Sequence, residues 1–139
     1  MGENICIILR LIGRVDSCQW PSKCSGLGLC KDEMCVACPT EQGLLGWSEN
    51  CAMPALNKCK GGKSVEDYKV SGVENSLTTY GKAARNVKVE ECKRRCSLDC
   101  KRVGFFHWQV ESKCWLAPLI GTLNSVSNSS HVAYIKYVN

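Results

Sequence analysis

CKRRCSLDCKRVGFFHW, residues Cys92 to Trp108, sets three cysteines four apart and then runs into a block of aromatics. A spacing of four brings Cys92, Cys96 and Cys100 toward one side of any helix they share, so all three would face whatever that helix packs on. That geometry suits a zinc site and a disulfide cluster equally well. The flanking residues favour a helix: in VEECKRRC, Glu90 and Glu91 fall in the first turn, and Lys93, Arg94 and Arg95 lie toward the end, both favourable for the helix dipole. Val89, Cys92 and Cys96 form its inward face. The basic side chains between them then point outward, and with Lys101 and Arg102 they make a candidate patch for an anionic ligand, a solvated helix face being the alternative.

Beyond this stretch, cysteine dominates the composition: twelve in 139 residues, far above ordinary usage. In an oxidising compartment such density staples small, loop-rich modules; inside the cell it points to zinc. Only two histidines, His107 and His131, are present, and neither sits in the spacing that mixed Cys/His zinc modules use, so zinc would be held almost wholly by cysteine. C-V-A-C at Cys35 to Cys38 has the length of a redox or zinc motif. A redox site needs that motif to open a helix after a strand, and Pro39 with its turn-rich surroundings offers none, which favours a structural role. Neither histidine is accompanied by a nucleophile motif or a carboxylate dyad, so no catalytic centre, metal or cofactor is expected. The net charge of +5 permits anionic partners without implying nucleic acid.

The chain changes texture near residue 60. Residues 1–15 are atypical: the apolar run from Ile5 to Ile12 is broken by Arg10, too short for a membrane span and not recognisable as a signal peptide. Residues 16–59 carry seven cysteines and three of the four prolines with little periodicity, which predicts cross-linked loops and short hairpins without much apolar core. Residues 60–139 are different. YKVSGV, GFFHW, CWLAPLI and HVAYIKYV are β-prone runs separated by Gly, Asn and Ser, which predict a small antiparallel sheet with the one helix packed on it. Phe105, Phe106, Trp108 and Trp115 read as core aromatics, a sugar-stacking platform being the sharper alternative. Asn128-Ser129-Ser130 is an N-glycosylation acceptor within GTLNSVSNSSH, a polar run expected to be an exposed loop.

CQWPSKCSGLGLCKDEMCVACPTEQGLLGWSENC resembles the EGF-like region of plant S-locus-glycoprotein-type proteins, and GLLGWS, KVEEC, GFF and SNSSHVAYIK are similar to the epidermis-specific secreted glycoprotein group within it. The resemblance runs from about Ser17 to Asn139. It implies an EGF-like module followed by a PAN/apple domain, giving a small disulfide-rich, mainly β protein with one helix across a sheet. It implies a non-catalytic, secreted cell-wall or apoplastic glycoprotein that recognises protein or cell-wall polysaccharide. Members of the group also carry bulb-type lectin domains; the Q-x-D-x-N-x-V-x-Y sugar-site pattern of those domains is not found in this chain, so lectin-type sugar binding is not carried over.

The resemblance further implies the pairs Cys18 with Cys30, Cys24 with Cys35, and Cys38 with Cys51 in the first module. In the second it implies Cys92 with Cys114 and Cys59 with Cys100. Similar domains place one more cysteine where this chain has Arg102, which leaves Cys96 without its expected partner. Three readings of Cys96 stay open: a free buried thiol, a pair with Cys6, or a handle for another chain. The reading from a different class is an intracellular, cysteine-rich zinc-binding interaction domain.

Overall fold

The computed structural model describes residues 17–53, 56 and 65–138. After a single 3-10 turn at Ser17–Gln19 come strands β1 (Leu27–Lys31), β2 (Met34–Thr40), β3 (Gly43–Gly46), β4 (Val65–Ser71) and β5 (Val73–Glu74). Helices α1 (Ser76–Tyr80) and α2 (Val89–Leu98) follow, then β6 (Gly104–Trp108), β7 (Lys113–Ala117), β8 (Gly121–Ser125) and β9 (His131–Val138). The protein is small, disulfide-rich and mainly β, with α2 as its one helix of appreciable length.

The four β-prone runs of the second half all contribute strands, but they do not make one sheet. A four-stranded antiparallel sheet has the order β4-β9-β6-β7, and a five-stranded sheet has the order β3-β2-β1-β8-β5. The chain passes between them at Gly72, where a positive φ of 70° turns β4 into β5; a side chain there would meet the carbonyl of Val126. In the five-stranded sheet β1 runs parallel to β8, with Leu27 opposite Gly121 and Cys30 opposite Asn124.

This pairing corrects two expectations. GTLNS is a buried strand rather than an exposed loop: Thr122, Leu123 and Asn124 are all buried. Its polar groups are satisfied from the first half of the chain, since the Cys24 N–H donates to Thr122 Oγ1 at 2.8 Å and that hydroxyl donates to the Pro21 carbonyl at 3.1 Å. The first half also reaches the apolar core, because β8 fixes β1 so that Leu27 is fully buried there.

That core lies between the sheets and contains Leu27, Val70, Val73, Phe106, Trp115, Ile120, Leu123 and Ile135. A second cluster of Val87, Cys92, Cys96, Phe105 and Cys114 fills the space between α2 and the four-stranded sheet. The sheet is thus covered on both faces, which explains why GFFH is buried at every residue instead of alternating: Phe106 points into the core and Phe105 toward the helix. Close packing leaves no room on β6 at Gly104, where an added side chain would strike the Tyr134 carbonyl.

The short helix α1 had no counterpart in the sequence reading. Asn75 caps it, accepting from the Thr78 N–H while Thr78 reaches back to the Asn75 N–H, and the Asn75 amide also donates to the Ile120 carbonyl at 3.1 Å.

Candidate functional site

Helix α2 organises the residues singled out in the sequence. Glu90 and Glu91 lie in its first turn and Arg95 in its last. Cys92 and Cys96 are buried beneath it. The helix stops at Leu98, so Cys100 is not on its inward face but in an exposed turn. The end is held from outside: the buried Lys136 on β9 sends its ammonium to the Cys96 carbonyl at 2.7 Å and the Asp99 carbonyl at 3.2 Å. A lysine in the middle of a strand gave no sequence signal of this role.

The structure joins Cys18 to Cys30, Cys24 to Cys35, Cys38 to Cys51 and Cys92 to Cys114. Cys100 is disulfide-bonded too; Cys59 and Cys6 lie outside the described residues. Cys18, Cys24 and Cys30 are fully buried and form a cluster with Cys35 and Trp47, so in this region sulfur takes the place of an aliphatic core. Among the described residues Cys96 is the free cysteine, not paired with Cys6. Its sulfur lies 3.3 Å from the Gly104 carbonyl, and burial pushes its thiol up from the ordinary value against the opposing effect of Lys136. A buried, protonated thiol is a poor nucleophile and offers no handle to another chain.

Disulfide sulfur cannot serve as a thiolate metal ligand, and this weighs against the zinc reading. Among the described residues no group of three or more His, Cys, Asp or Glu side chains is arranged to hold a metal ion.

The basic patch is more neutral than its sequence suggests. Glu91 accepts from Arg94 Nε at 2.6 Å and Nη2 at 2.7 Å, and from Arg95 Nε at 2.9 Å. Those hydrogen bonds, Arg94 before Arg95, hold the exposed Glu91 carboxyl down at about 2. Lys93 lies 3.8 Å from Asp67, and Arg102 donates to Asp99 at 3.0 Å. The bond from Arg102, then the Lys101 N–H, keeps Asp99 below the usual carboxylate range. Of the five cations, Lys93, Arg94, Arg95 and Arg102 are therefore engaged with carboxylates.

Both histidines have structural surroundings. His107 is buried with Nε2 2.7 Å from the Val87 carbonyl, tying β6 to the segment before α2. His131 stacks on Trp108, with ring centroids 3.7 Å apart. Trp108 meets Trp115 edge-on at 4.7 Å. Phe105, Phe106 and Trp115 are buried, so the aromatics form core and not a flat exposed platform. Asn128 is exposed, in the turn between β8 and β9.

A different surface emerges on the five-stranded sheet, at the β2–β3 hairpin. Met34, Val36, Leu44 and Leu45 are 66%, 44%, 56% and 57% exposed. Cys38 pairs with Leu45 and Pro39 with Leu44, so the two leucines lie on opposite faces of the hairpin; Leu29 pairs with Ala37 but Cys30 with Cys35, which makes Val36 a bulge residue and puts Met34, opposite Lys31, on the Leu44 face. The missed signal was two adjacent leucines in a segment with no apolar core of its own to bury them.

No protein-family model matches the chain. Among curated proteins, EP1-like glycoprotein 2 of Arabidopsis thaliana is 46% identical over 127 residues, covering 88% of this chain and 28% of that protein. EP1-like glycoprotein 1 of the same plant is 45% identical over 127 residues, with the same coverage of 88% and 28%. The epidermis-specific secreted glycoprotein EP1 of Daucus carota is 45% identical over 56 residues, 40% of this chain and 14% of that protein. The chain thus spans just over a quarter of the length of the EP1-like relatives it matches, 28%. Across 88% of its residues, this chain is a homologue of the plant EP1-like glycoproteins.

Proposed function

We propose that this chain is a non-catalytic recognition module of an extracellular plant glycoprotein, built as an EGF-like unit over residues 16–59 and a PAN/apple-type unit over 60–139, and that its target is a protein of the cell surface or wall. Its extracellular place follows from its relatives, one of them named as secreted, and accords with its cysteine chemistry. Among the described residues no helix is long and apolar enough to cross a membrane. The non-catalytic reading is supported by the histidines, which are occupied with a backbone carbonyl and an aromatic stack.

The observation that carries recognition is the β2–β3 hairpin. Its strand β2 is anchored at Cys35 and Cys38 by the bridges to Cys24 and Cys51, and β3 is held to it by an antiparallel ladder, yet the hairpin exposes four large apolar side chains. An apolar surface on a rigid element binds without a large ordering cost, and such patches mark interaction sites. A polysaccharide target through the helix patch is the second reading; the carboxylates already on Lys93, Arg94, Arg95 and Arg102 compete with any polyanion there.

The test is retention of the full chain by isolated epidermal cell walls, for the parent, for Val36→Lys with Leu45→Lys, and for Arg94→Glu with Arg95→Glu. The hairpin variant should wash off while the helix variant stays bound. The opposite pattern would move recognition to the cationic patch, and a folded parent that is not retained at all would contradict a wall-associated target.

A further inference from the structure

Asn128-Ser129-Ser130 is a sequon whose asparagine the fold presents to solvent in the turn that leads from β8 into β9. Ser130 fixes the orientation of the side chain: its backbone N–H and its hydroxyl both donate to Asn128 Oδ1, at 3.0 and 2.7 Å. With the oxygen held inside the turn, the amide nitrogen Nδ2 points to the neighbouring strand, where it lies 3.2 Å from His131 Nε2. His131 is itself one slice of an aromatic stack, its ring 6° from parallel with Trp108, which is only partly buried. The atom to which a sugar would be joined therefore borders an aromatic surface held in place by a β-ladder, with Trp108 directly opposite His131 in register.

We propose that Asn128 carries an N-linked glycan and that its first N-acetylglucosamine packs against the rim of the His131–Trp108 stack, so that the sugar is an ordered part of the fold. Attachment forms a bond from Asn128 Nδ2 to the anomeric carbon of the sugar. The bond that breaks joins that carbon to the diphosphate of a lipid-borne oligosaccharide donor, and one amide proton leaves with the diphosphate. The second amide hydrogen stays on Nδ2 and can still donate to His131 Nε2. A pyranose carries a face of C–H groups, and packing it on aromatic carbon removes apolar area of both from water. The attached sugar reaches the rings without an association cost, because it is already tethered beside them. This inference rests on the extracellular setting and is independent of what the hairpin recognises.

The full chain, secreted from yeast behind a generic export signal, is digested after peptide-N-glycosidase treatment in heavy-oxygen water, which converts a glycan-bearing asparagine to labelled aspartate. The label should appear at position 128; unlabelled Asn128 in folded, secreted protein would overturn the proposal. A second sample is trimmed by endoglycosidase to a single N-acetylglucosamine and its N-acetyl methyl proton resonance recorded. Packing against the rings predicts a ring-current displacement that collapses in Trp108→Leu, and a lower melting temperature once that sugar is removed from the parent. A methyl resonance at the position of a free glycan in the parent would refute the packing, whatever the variant does.

Discussion

Cys92 and Cys96 sit one helical turn apart on the same buried face, yet only Cys92 has a cysteine opposite it. Cys114 on β7 brings its Cα within 5.8 Å of Cys92, whereas the Cys96 sulfur meets the Gly104 carbonyl. The bridge closes a separation of 22 residues and pins α2 to the sheet. Cys114→Ala should cost about 2–5 kcal/mol in denaturant unfolding, and an unchanged midpoint would mean that the helix is held by packing alone. Lys136 acts at the other end of the helix. Lys136→Met keeps the bulk of the stem but takes away the donor to the Cys96 and Asp99 carbonyls, which should destabilise the protein by about 1–3 kcal/mol. A free, buried Cys96 is one of the readings that Arg102, standing where similar domains have a cysteine, leaves open in the sequence, whereas the reach of Lys136 is not legible there, because it depends on which strand lies beneath the helix.

At the level of elements, α2 was readable from its sequence: apolar and cysteine positions three and four apart, acids first and bases last, with a boundary two residues beyond the VEECKRRC that was recognised. Its outer face is more neutral than the run of bases implies, and the spacing contains the reason, since Glu91 stands three and four residues before Arg94 and Arg95. Glu91→Gln should release both guanidinium groups and increase retention on polygalacturonate at low salt, an increase that added salt removes; unchanged retention would mean that those arginines are not a binding surface even when unpaired. Stability near neutral pH should hardly change, because the pairs are exposed. The sign follows from the depressed carboxyl: its stabilising contribution is fully present above the ordinary glutamate range and is lost as pH falls from there through about 2. Strand β8 was not readable at all. Gly, Thr, Asn and Ser look like loop, and it is pairing with β1 and β5, supported by the hydrogen bonds that join Thr122 to the distant Cys24 and Pro21, that turns GTLNS into a buried strand.

On the scale of the whole molecule, the change of composition near residue 60 does not divide the core. The parallel β1–β8 pair carries one sheet across both halves, and Leu27 from the first half sits among Val73, Ile120 and Leu123 from the second. Long-range pairing of this kind leaves no trace in periodicity, which is why the sequence predicted two textures where the structure has a shared interior. Leu27→Ala should cost about 2–5 kcal/mol, and fluorescence and far-ultraviolet dichroism should report one coincident unfolding transition. Two separated transitions would show that the halves fold independently.

Cysteine serves this molecule above all as an extracellular staple. That role is tested most directly by peptide mapping of the folded, secreted chain, alkylated and digested without reduction. The expected fragments link Cys18 with Cys30, Cys24 with Cys35, Cys38 with Cys51 and Cys92 with Cys114, with Cys96 recovered as a thiol that alkylates only after unfolding. Recovery of Cys92 and Cys114 as free thiols from folded protein, or of stoichiometric zinc with it, would contradict the account.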